Sequence, residues 1–390
     1  MQRKILILAG WTAAMVLLGF TVWYKLMRRE VAQPAWVSET RQNLFLYGSV
    51  GANEDSGIPY WVWLTMPRIF PEHMPGNGGY VALGSSWEEG REMPAGFAKQ
   101  RIGYLRVTGN CALCHAASYR VGPNDGPEVV AFVPGRAGNV DRLREFFKKC
   151  AEDPRFNSDE ILTEVKSATR LQWSDYLLYK LYLVRKTRDK FLDHPDEVIL
   201  NAALRRHAAD PHAQGPLAEP EIKAFDEARK EIPFPLYPMP LDHELVQEGK
   251  SVFQANCAEC HAEGGKQTGT MIPIEELGTD SDALAKTKAR GYVAMPLTGL
   301  WMRGPYLHNG SVPTVGDLLD AQNRPASFYV GNNLLNTEKL GFISNLPGEK
   351  GLHFIPYDTT QSGNHNGGHL YGTKLPEPQK KQLIEYLKTL

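Results

Sequence analysis

The sequence predicts a mainly α-helical protein with two similar domains, long irregular loops and an N-terminal helix that crosses a membrane. Three observations predict this fold class. The pattern Cys-x-x-Cys-His occurs twice in the 390 residues, at Cys111–His115 and at Cys257–His261. Several segments carry apolar residues at three- and four-residue steps, as amphipathic helices do. An uncharged run extends from Ile5 to Tyr24.

The repeated motif is typical of covalent haem attachment. Its two thiols add across the haem vinyl groups, and the His that follows becomes the proximal iron ligand. Because His fills only 11 of 390 positions, its presence after both cysteine pairs is improbable by chance. The sequence therefore predicts two covalently bound haem c groups, each in a cytochrome c-like domain. The predicted attachment residues are Cys111, Cys114, Cys257 and Cys260, and the predicted proximal ligands are His115 and His261.

Zinc is the alternative for paired Cys-x-x-Cys motifs. Zinc-binding pairs usually lie about 15–20 residues apart, whereas these two pairs are far apart in the chain. The fifth cysteine, Cys150, has no spare partner for a disulfide. We expect a small buried residue at the end of a helix rather than a reactive thiol.

The uncharged run favours a membrane anchor over a cleaved signal peptide, because it ends in bulky residues and is long enough to span a bilayer. We therefore expect residues 1–27 to form a signal-anchor. Its orientation is not decided by the nearly balanced flanking charges. Since c-type haem is normally attached outside the cytoplasmic membrane, the expected location is the bacterial inner membrane, with the body in the periplasm.

The rest of the chain is predicted to form four regions. Residues 28–95, rich in Gly, Pro and aromatics, are expected to form an irregular cover segment. Residues 96–231 are expected to form the first haem domain with a helical insertion. A Pro-rich linker over 232–241, part of a stiff connector that begins near residue 210, precedes the second haem domain at 242–390.

Helical periodicity predicts the main elements of both haem domains. In the first domain, Phe97–Val107 is predicted to lead into the motif as a helix, and residues 138–150 and 158–192 are predicted to be helical. In the second, Asp242 is predicted to cap a helix that leads to Cys257, and Gln379–Leu390 is predicted to be the terminal helix that crosses it.

Each iron also needs a sixth ligand or an open position, and this decides between electron transfer and catalysis. For the second haem, composition does not choose among several candidates. The sulfur candidates are Met295 and Met302, and the imidazole candidates are His308, His365 and His369. For the first haem, four residues of the cover segment are weaker candidates: Met66, His73, Met74 and Met93.

Three stretches carry a resemblance to a known family. Residues 296–314, PLTGLWMRGPYLHNGSVPT, resemble the signature of the dihaem cytochrome c peroxidase and MauG superfamily. RPASFYVG at 324–331 and GNHNGGHLYG at 363–372 are more similar to its RoxA-like branch, named for the bacterial rubber oxygenase. The resemblance is specific over about 241–390 and moderate around 96–120.

The resemblance implies several residue roles. A late His is the sixth ligand of the second haem in the RoxA-like branch, and His369 matches it. Arg303 is implied near the haem propionates, with Trp301 also in the cofactor site, while His308 is expected to fix the loop. The N-terminal haem is the reactive one in RoxA-like proteins, which implies an open or weakly ligated iron at His115. Apart from the resemblance, the aromatic residues Trp173 and Tyr176 are candidates for lining its pocket or bridging the haems, although ordinary core packing is expected for them.

The expected function is electron transfer, with the C-terminal haem as relay. A haem oxidoreductase of peroxidase or oxygenase type, acting at the N-terminal haem, is the alternative, although no distal acid or base is recognisable. Polymer cleavage is not implied, because this chain is considerably shorter than the rubber oxygenase. A third possibility is a cytochrome subunit of a membrane complex that docks through the basic residues of 180–190. The expected partner is an electron donor or acceptor protein or a membrane complex; a net charge of −1 gives no reason to expect nucleic acid.

Overall fold

The fold mixes helices with small antiparallel sheets. A computed structural model describes residues 2–27, 29–30, 34–49, 57–131, 139–200, 227, 231–285 and 290–390. It is 43% helical and 15% strand, so the expectation of a mainly α-helical protein is wrong. The strands have two to six residues, too few for their alternation to be recognised among loops rich in Gly and Pro.

The described helices are short, apart from the first. In the N-terminal half they are α1 Gln2–Met27, α2 Arg41–Tyr47, α3 Tyr60–Ile69, α4 Ala112–His115, α5 Asn139–Glu152, α6 Ser158–Ala168, α7 Trp173–Leu178, α8 Val184–Asp193 and α9 Pro195–Ile199. In the C-terminal half they are α10 His243–Asn256, α11 Ala258–His261, α12 Ile274–Leu277, α13 Asp282–Ala285, α14 Val315–Leu318 and α15 Glu377–Leu387. Short 3₁₀ turns include Leu300–Met302, and a π-helical turn, Tyr179–Leu183, joins α7 to α8.

The strands form one four-stranded sheet and four two-stranded ladders, all antiparallel. They are β1 Arg29–Glu30, β2 Ile58–Pro59, β3 Phe97–Ile102, β4 Tyr104–Gly109, β5 Ala116–Tyr119, β6 Glu128–Ala131, β7 Met271–Pro273, β8 Gly291–Val293, β9 Ser327–Val330, β10 Gly348–Glu349, β11 Leu352–His353 and β12 Ile355–Asp358. The larger sheet has the order β1-β3-β4-β2, and the ladders pair β5 with β6, β7 with β8, β9 with β12 and β10 with β11.

Helix α1 contains the uncharged run. Across the described residues, no helix is both long enough and apolar enough to cross a membrane. The predicted N-terminal transmembrane helix is therefore wrong, and so is the inner-membrane location that depended on it. Gly10, Thr12, Gly19 and Thr21 interrupt the apolar side chains of the uncharged run and lower its mean hydropathy.

The chain divides into two compact units. The first comprises residues 1–74, 92–114 and 137–232, and the second comprises 75–91, 115–136 and 233–390. The predicted domain boundaries are contiguous in sequence, whereas both units are assembled from separate segments. Of the connector predicted from about 210 to 241, the structure describes residue 227 and residues 231–241; the other positions lie outside the described residues.

In the first unit, a β-hairpin leads to the first motif, so the helix predicted over Phe97–Val107 is wrong. Strands β3 and β4 pair directly from Phe97 with Gly109 to Ile102 with Tyr104. The turn residue Gly103 has a φ of 74°, which a glycine adopts without strain. The apolar residues of this segment pack as a strand on the pleated surface, which period alone did not distinguish from a helix.

The helices of the first unit pack through aromatic rings. Phe147 of α5 stacks on Phe191 of α8 with ring centres 4.8 Å apart. The helices predicted at 138–150 and 158–192 are present, with a break between α6 and α7. Cys150 is fully buried in α5, where burial raises the pKa of its thiol, as expected for a packing residue.

In the second unit, α10 and α15 cross at close range, as predicted. Asp242 caps α10 by accepting hydrogen bonds from the backbone N–H groups of Glu244 and Leu245. A Cβ on Gly249 would lie 1.9 Å from the carbonyl oxygen of Gln382, so only glycine permits this approach. The core of the unit surrounds Trp301, which makes edge contacts with Tyr119 and Tyr237.

Candidate haem-binding site

The second Cys-x-x-Cys-His motif forms a single helical turn at the end of α10. Cys257 ends that helix, and its carbonyl oxygen accepts hydrogen bonds from the backbone N–H groups of Cys260 and His261, at 3.2 and 3.0 Å. In a helical turn, residues three and four positions apart lie on the same face. The two thiols and the imidazole therefore face the same side.

That side opens into a cavity of about 410 Å³ within the second unit. Cys257, Cys260 and His261 line it from one side, and His369 lines it as well. Most of the other lining groups are apolar and come from the short strands, the loop after them and α15. They include Ile272, Val293, Leu300, Leu383 and Leu387. A largely apolar cavity with a few polar groups is the usual environment of a flat organic cofactor.

The imidazole of His261 is oriented by the main chain. Its Nδ1 lies 2.8 Å from the carbonyl oxygen of Met295, which can only accept a hydrogen bond, so Nδ1 carries the proton. In the neutral tautomer with this hydrogen bond, Nε2 is the nitrogen with the free lone pair. A ring that donates one N–H to a backbone carbonyl and keeps the other nitrogen free is the usual arrangement of a metal-ligating His.

The loop that carries His369 is fixed by close backbone contacts. Gly368 has a φ of 77°, and a Cβ on it would lie 2.3 Å from the backbone of Gly278. The guanidinium of Arg324 donates to the carbonyl oxygens of Asn366 and Gly368, at 2.5 and 2.8 Å. His369 itself has a φ of 46°, and its N–H donates to Leu277 at 2.7 Å. A strained backbone held by several contacts is common where a side chain must be placed.

The electrostatic environment keeps His369 neutral. Burial, and to a smaller extent His261 and Arg324, lower the pKa of His369 to about 4. A neutral imidazole has a free nitrogen lone pair, which a metal needs. Its buried Nδ1 has no hydrogen-bond partner among the described residues.

The two imidazoles have the separation that one metal between them would require. The ring centres of His261 and His369 are 6.1 Å apart. Two imidazoles on opposite sides of one metal, each bound through nitrogen at about 2 Å, have ring centres about 6 Å apart. Haem therefore fits the residues present, because both thiols and both imidazoles line the same cavity.

Zinc fits the same residues less well. A small ion would draw four ligand atoms together around itself. Among the described residues, the only His, Cys, Asp and Glu group whose ligand atoms lie within 4.8 Å of one another is Glu72, His73 and Asp153. It contains none of the motif residues, and Arg155 already pairs with both of its carboxylates.

Arg303 lies at the cavity, which is where the family resemblance implies that it should be. Its Nη1 donates to the carbonyl oxygen of Pro296 at 3.0 Å, and its buried Nε has no partner among the described residues. A buried donor on a cation favours a carboxylate nearby, which a haem propionate would supply. Trp301 does not line the cavity but fills the core next to it.

The other sixth-ligand candidates take different positions. Met295 lines the cavity with 55% of its surface exposed, whereas Met302 is buried in the core. His308 also lines the cavity, where it stacks on Tyr292 with ring centres 4.2 Å apart. His365 does not line it; its Nδ1 donates to the carbonyl oxygen of Thr359 at 3.2 Å.

Asn309 connects the loop of His308 to the loop of His369, a role that sequence reasoning did not assign. Its Nδ2 donates to the carbonyl oxygens of Gly363 and His365, at 3.1 and 3.0 Å. Its own carbonyl oxygen accepts from the hydroxyl of Tyr357 at 2.7 Å. The family resemblance could have indicated their importance, because Asn309, Arg324 and Gly368 all lie in the stretches that carry it.

The first motif is held differently. In the first unit, Asn110 is buried and accepts a hydrogen bond from the N–H of Ala112, while its Nδ2 donates to the carbonyl oxygens of Leu46 and Gly48. Gly96 has a φ of 92°, and a Cβ on it would lie 2.5 Å from Cα of Leu113. These contacts place the turn that carries Cys111 and Cys114. The division between the units falls before His115.

The weaker candidates near the first motif have local contacts of their own. Met66 and Met93 are buried, and Nε2 of His73 lies 3.2 Å from a carboxylate oxygen of Asp153. Met74 is half-buried. Trp173 is 66% exposed, and the ring of Tyr176 lies under the ammonium group of Lys166. These contacts are those of packing and surface residues.

Comparison with known proteins identifies the region around the second motif. Residues 291–329 match the family described as RoxA-like, cytochrome c-like, and residues 244–302 match the family described as cytochrome C oxidase, cbb3-type, subunit III. Together the matches cover Cys257–His261, Arg303 and His308. This region is a cytochrome c-like haem c electron-transfer region related to RoxA.

Two relatives are uncharacterized proteins of Sinorhizobium fredii (strain NBRC 101917 / NGR234). Protein y4iJ is 43% identical over 138 residues, which is 33% of this chain and 20% of that protein. Protein y4iM is 27% identical over 224 residues, which is 40% of this chain and 51% of that protein. The chain thus spans about a fifth of one relative and about half of the other.

Proposed function

We propose that this chain is a dihaem c-type cytochrome that transfers single electrons, with the haem at Cys257 and Cys260 as a six-coordinate relay. The observation that carries this proposal is the 6.1 Å separation of the His261 and His369 rings across a cavity that both thiols line. A protein ligand on each side leaves no position for a substrate on the iron, which favours electron transfer over catalysis there.

The residues of the site have distinct tasks in this proposal. Cys257 and Cys260 would hold the haem covalently, and the hydrogen bond to the Met295 carbonyl oxygen would orient the His261 ring so that Nε2 is available to the iron. His369, kept neutral by burial, would offer a second imidazole to the iron, and the guanidinium of Arg303 would pair with a haem propionate. When bound, haem supplies a one-electron iron couple. The apolar walls limit the access of water to it, which affects its potential.

The first haem is proposed on Cys111, Cys114 and His115. Support for it comes from the motif and from the buried contacts of Asn110, which hold the thiol-bearing turn. An open sixth position on this iron would allow the alternative function, an oxidoreductase of the peroxidase or RoxA type. The proposed partner is a protein that donates or accepts electrons.

Electron paramagnetic resonance of the haem-loaded chain tests the relay. We expect one low-spin signal of a bis-His haem and a second, distinct species from the first haem. In the His369→Ala variant, the bis-His signal should convert to a high-spin signal, because the iron loses one axial ligand, and carbon monoxide binding should increase by one haem per chain.

His365→Ala and Met295→Leu are the matched controls, and both should leave the bis-His signal unchanged. His365 is a neighbouring imidazole outside the cavity, and Met295 is the sulfur alternative inside it. A spectrum that changes in Met295→Leu but not in His369→Ala would reject the assignment of His369. Two low-spin signals, with no binding of carbon monoxide or cyanide at either haem, would exclude the oxidoreductase alternative.

A further inference from the structure

Two residues of the haem-binding cavity carry buried hydroxyl groups that lack a hydrogen-bond partner. They are Thr279, in the loop after α12, and Tyr292, in the middle of β8, and both line the cavity. Among the described residues, neither Oγ1 of Thr279 nor the phenol oxygen of Tyr292 has a partner, although both atoms are buried. Such hydroxyls are rare in native proteins because they are energetically costly. Their partner is therefore expected from the molecule that fills the cavity.

The short strands bring the two hydroxyl-bearing residues to the same part of the second unit. Strand β7 leads into α12, which ends at Gly278 (φ 64°), directly before Thr279. Strand β8 pairs with β7, and the carbonyl oxygen of Arg290, just before β8, accepts a hydrogen bond from the N–H of Ile274 at 3.0 Å. Thr279 and Tyr292 are therefore held by one small group of elements, formed by β7, α12 and β8.

His308 and Asp280 also connect the surroundings of Thr279 and Tyr292. The ring of Tyr292 stacks on that of His308, another lining residue, with ring centres 4.2 Å apart. Burial and then the charge of Asp280 raise the pKa of Tyr292, and burial lowers the pKa of His308 while Asp280 opposes this. Because Asp280 directly follows Thr279, its effect on both rings indicates that this loop lies close to them.

The charged groups of this region leave the two hydroxyls available to a ligand. Both carboxylate oxygens of Asp280 already accept hydrogen bonds from backbone N–H groups, at 2.8 and 3.1 Å, which stabilise its negative charge. Arg290 is exposed, and Lys286 and Lys288 lie outside the described residues. Because Asp280 repels a second carboxylate, a carboxylate ligand here would depend on the hydroxyl donors to stay in place.

We infer that Thr279 and Tyr292 form a second carboxylate subsite of the cavity and donate hydrogen bonds to the haem propionate that Arg303 does not hold. The inference rests on the proposed function, because the carboxylate belongs to the haem proposed at Cys257 and Cys260. A haem carries two propionates, so a single guanidinium leaves one carboxylate without an assigned partner. Hydrogen bonds from a hydroxyl to a carboxylate are charge-assisted and strong.

An ordered water molecule is the alternative partner of the two hydroxyls, since buried waters commonly satisfy such groups. The two partners differ in charge. A hydrogen bond to a propionate stabilises a negative charge attached to the haem, whereas a hydrogen bond to water does not. In an apolar cavity, a propionate that loses its donors favours the more positive, oxidised iron. The reduction potential of the haem therefore distinguishes the two partners.

The variant Tyr292→Phe with Thr279→Val tests the subsite, because it removes both hydroxyls and nearly preserves the size of both side chains. Potentiometric titration of the haem-loaded chain, followed by the low-spin signal of the second haem, measures the potential of that haem alone. We expect reduction to become at least about threefold less favourable, a decrease of about 30 mV for one electron. Resonance Raman gives a second readout, because the bending bands of the propionates should shift when their hydrogen bonds are lost.

The matched control is Tyr329→Phe with Thr389→Val, which removes the same two kinds of hydroxyl from residues of the second unit that do not line the cavity. It should leave the potential and the propionate bands unchanged. Both double variants should keep the covalent haem and its low-spin signal, since neither alters a thiol or an imidazole. If the cavity variant is unstable, the single variants Tyr292→Phe and Thr279→Val should each lower the potential.

An unchanged potential and unchanged propionate bands in the cavity variant, with the haem retained, would overturn this inference in favour of ordered water. An equal decrease in the control variant would also overturn it, because the effect would then not come from the cavity. Failure of the proposed function gives a different result: mass spectrometry of the unmodified chain would show no haem on Cys257 and Cys260. That result would overturn both proposals.

Discussion

The two Cys-x-x-Cys-His turns have the same sequence pattern but different supports. The turn at Cys257 continues directly from α10, which crosses α15 at Gly249. The turn at Cys111 follows a β-hairpin and is held by the side chain of Asn110 and by close packing of Gly96. The motif therefore determines the attachment chemistry, whereas the surrounding fold determines how the turn is held.

This difference matters for the axial ligands. In the second unit, the crossing helices, the loop of Met295 and the loop of His369 enclose one cavity, so the imidazole opposite His261 is already in place. For the first motif, no described residue of the cover segment shows contacts that favour a sixth ligand. Under the proposed function, the second haem would therefore have both axial ligands from the protein, whereas the sixth position of the first haem stays unassigned.

The largest expected effect is the loss of one haem at a time. Replacing Cys111 and Cys114 by Ala should lower the mass of the purified protein by one haem, because each haem needs its own pair of thiols. Replacing Cys257 and Cys260 by Ala should remove the other haem and, with it, the bis-His signal. Intact-protein mass spectrometry measures both losses. An unchanged haem count in the first variant would contradict the prediction that both motifs bind haem, because only one motif would then be a haem site.

The next effect concerns the glycines that permit close packing beside each motif. Gly249→Val should lower the free energy of unfolding by more than about 3 kcal/mol, since Cβ would overlap the carbonyl oxygen of Gln382 and the crossing of two helices would have to open. Gly96→Val should have an effect of similar size in the first unit, where a positive φ adds strain.

Chemical denaturation, followed by haem absorbance and circular dichroism, measures these effects. Gly126→Ala is the control, because a Cβ at this position would have no neighbouring atom within 4 Å and the backbone there does not require glycine. The expected result is loss of the bis-His signal only in Gly249→Val. Loss of that signal in Gly96→Val as well would mean that the two supports are not independent.

The smallest expected effect concerns one polar side chain near each motif. Asn110→Ala should lower the free energy of unfolding by about 2–3 kcal/mol, because three buried hydrogen bonds to the backbone are lost, and of the two carbonyl oxygens only that of Leu46 keeps another donor among the described residues, the N–H of Gly96. Asp242→Ala removes an exposed helix cap and should cost only about 1 kcal/mol. Thermal unfolding of the haem-loaded variants measures both. If both substitutions lower the free energy of unfolding equally, the first turn depends on Asn110 no more than α10 depends on its cap.

Local chemistry explains which predictions succeeded. The Cys-x-x-Cys-His turn, the cap at Asp242 and the amphipathic stripe of α10 depend on residues within a few positions of one another, so sequence spacing is enough to recognise them. The buried role of Cys150 followed from the periodicity of α5. That the missing side chain of Gly249 permits the helix crossing became clear only in the structure.

Other predictions failed because a local sequence pattern was compatible with two different structures. Phe97–Val107 has apolar residues at positions compatible with either period, and pairing of β3 with β4 decided for strands. The uncharged run from Ile5 to Tyr24 suggested a membrane span from length and charge alone, but the described side chains do not form a helix long and apolar enough for one. A mainly α-helical class was predicted because very short strands carry too little signal.

By itself, the sequence predicted the haem chemistry from two pairs of thiols, each followed by a His, at a spacing that one porphyrin edge requires; the matches to known families support it for the second pair. It could not choose the imidazole opposite His261, because His308, His365 and His369 lie far from the motif along the chain. Only the tertiary structure shows which of these rings lies near His261, and it is the basis for proposing His369. The approach of Gly368 to Gly278 and the hydrogen bonds of Arg324 bring His369 to 6.1 Å from His261, and such long-range contacts leave no periodic trace in a single sequence.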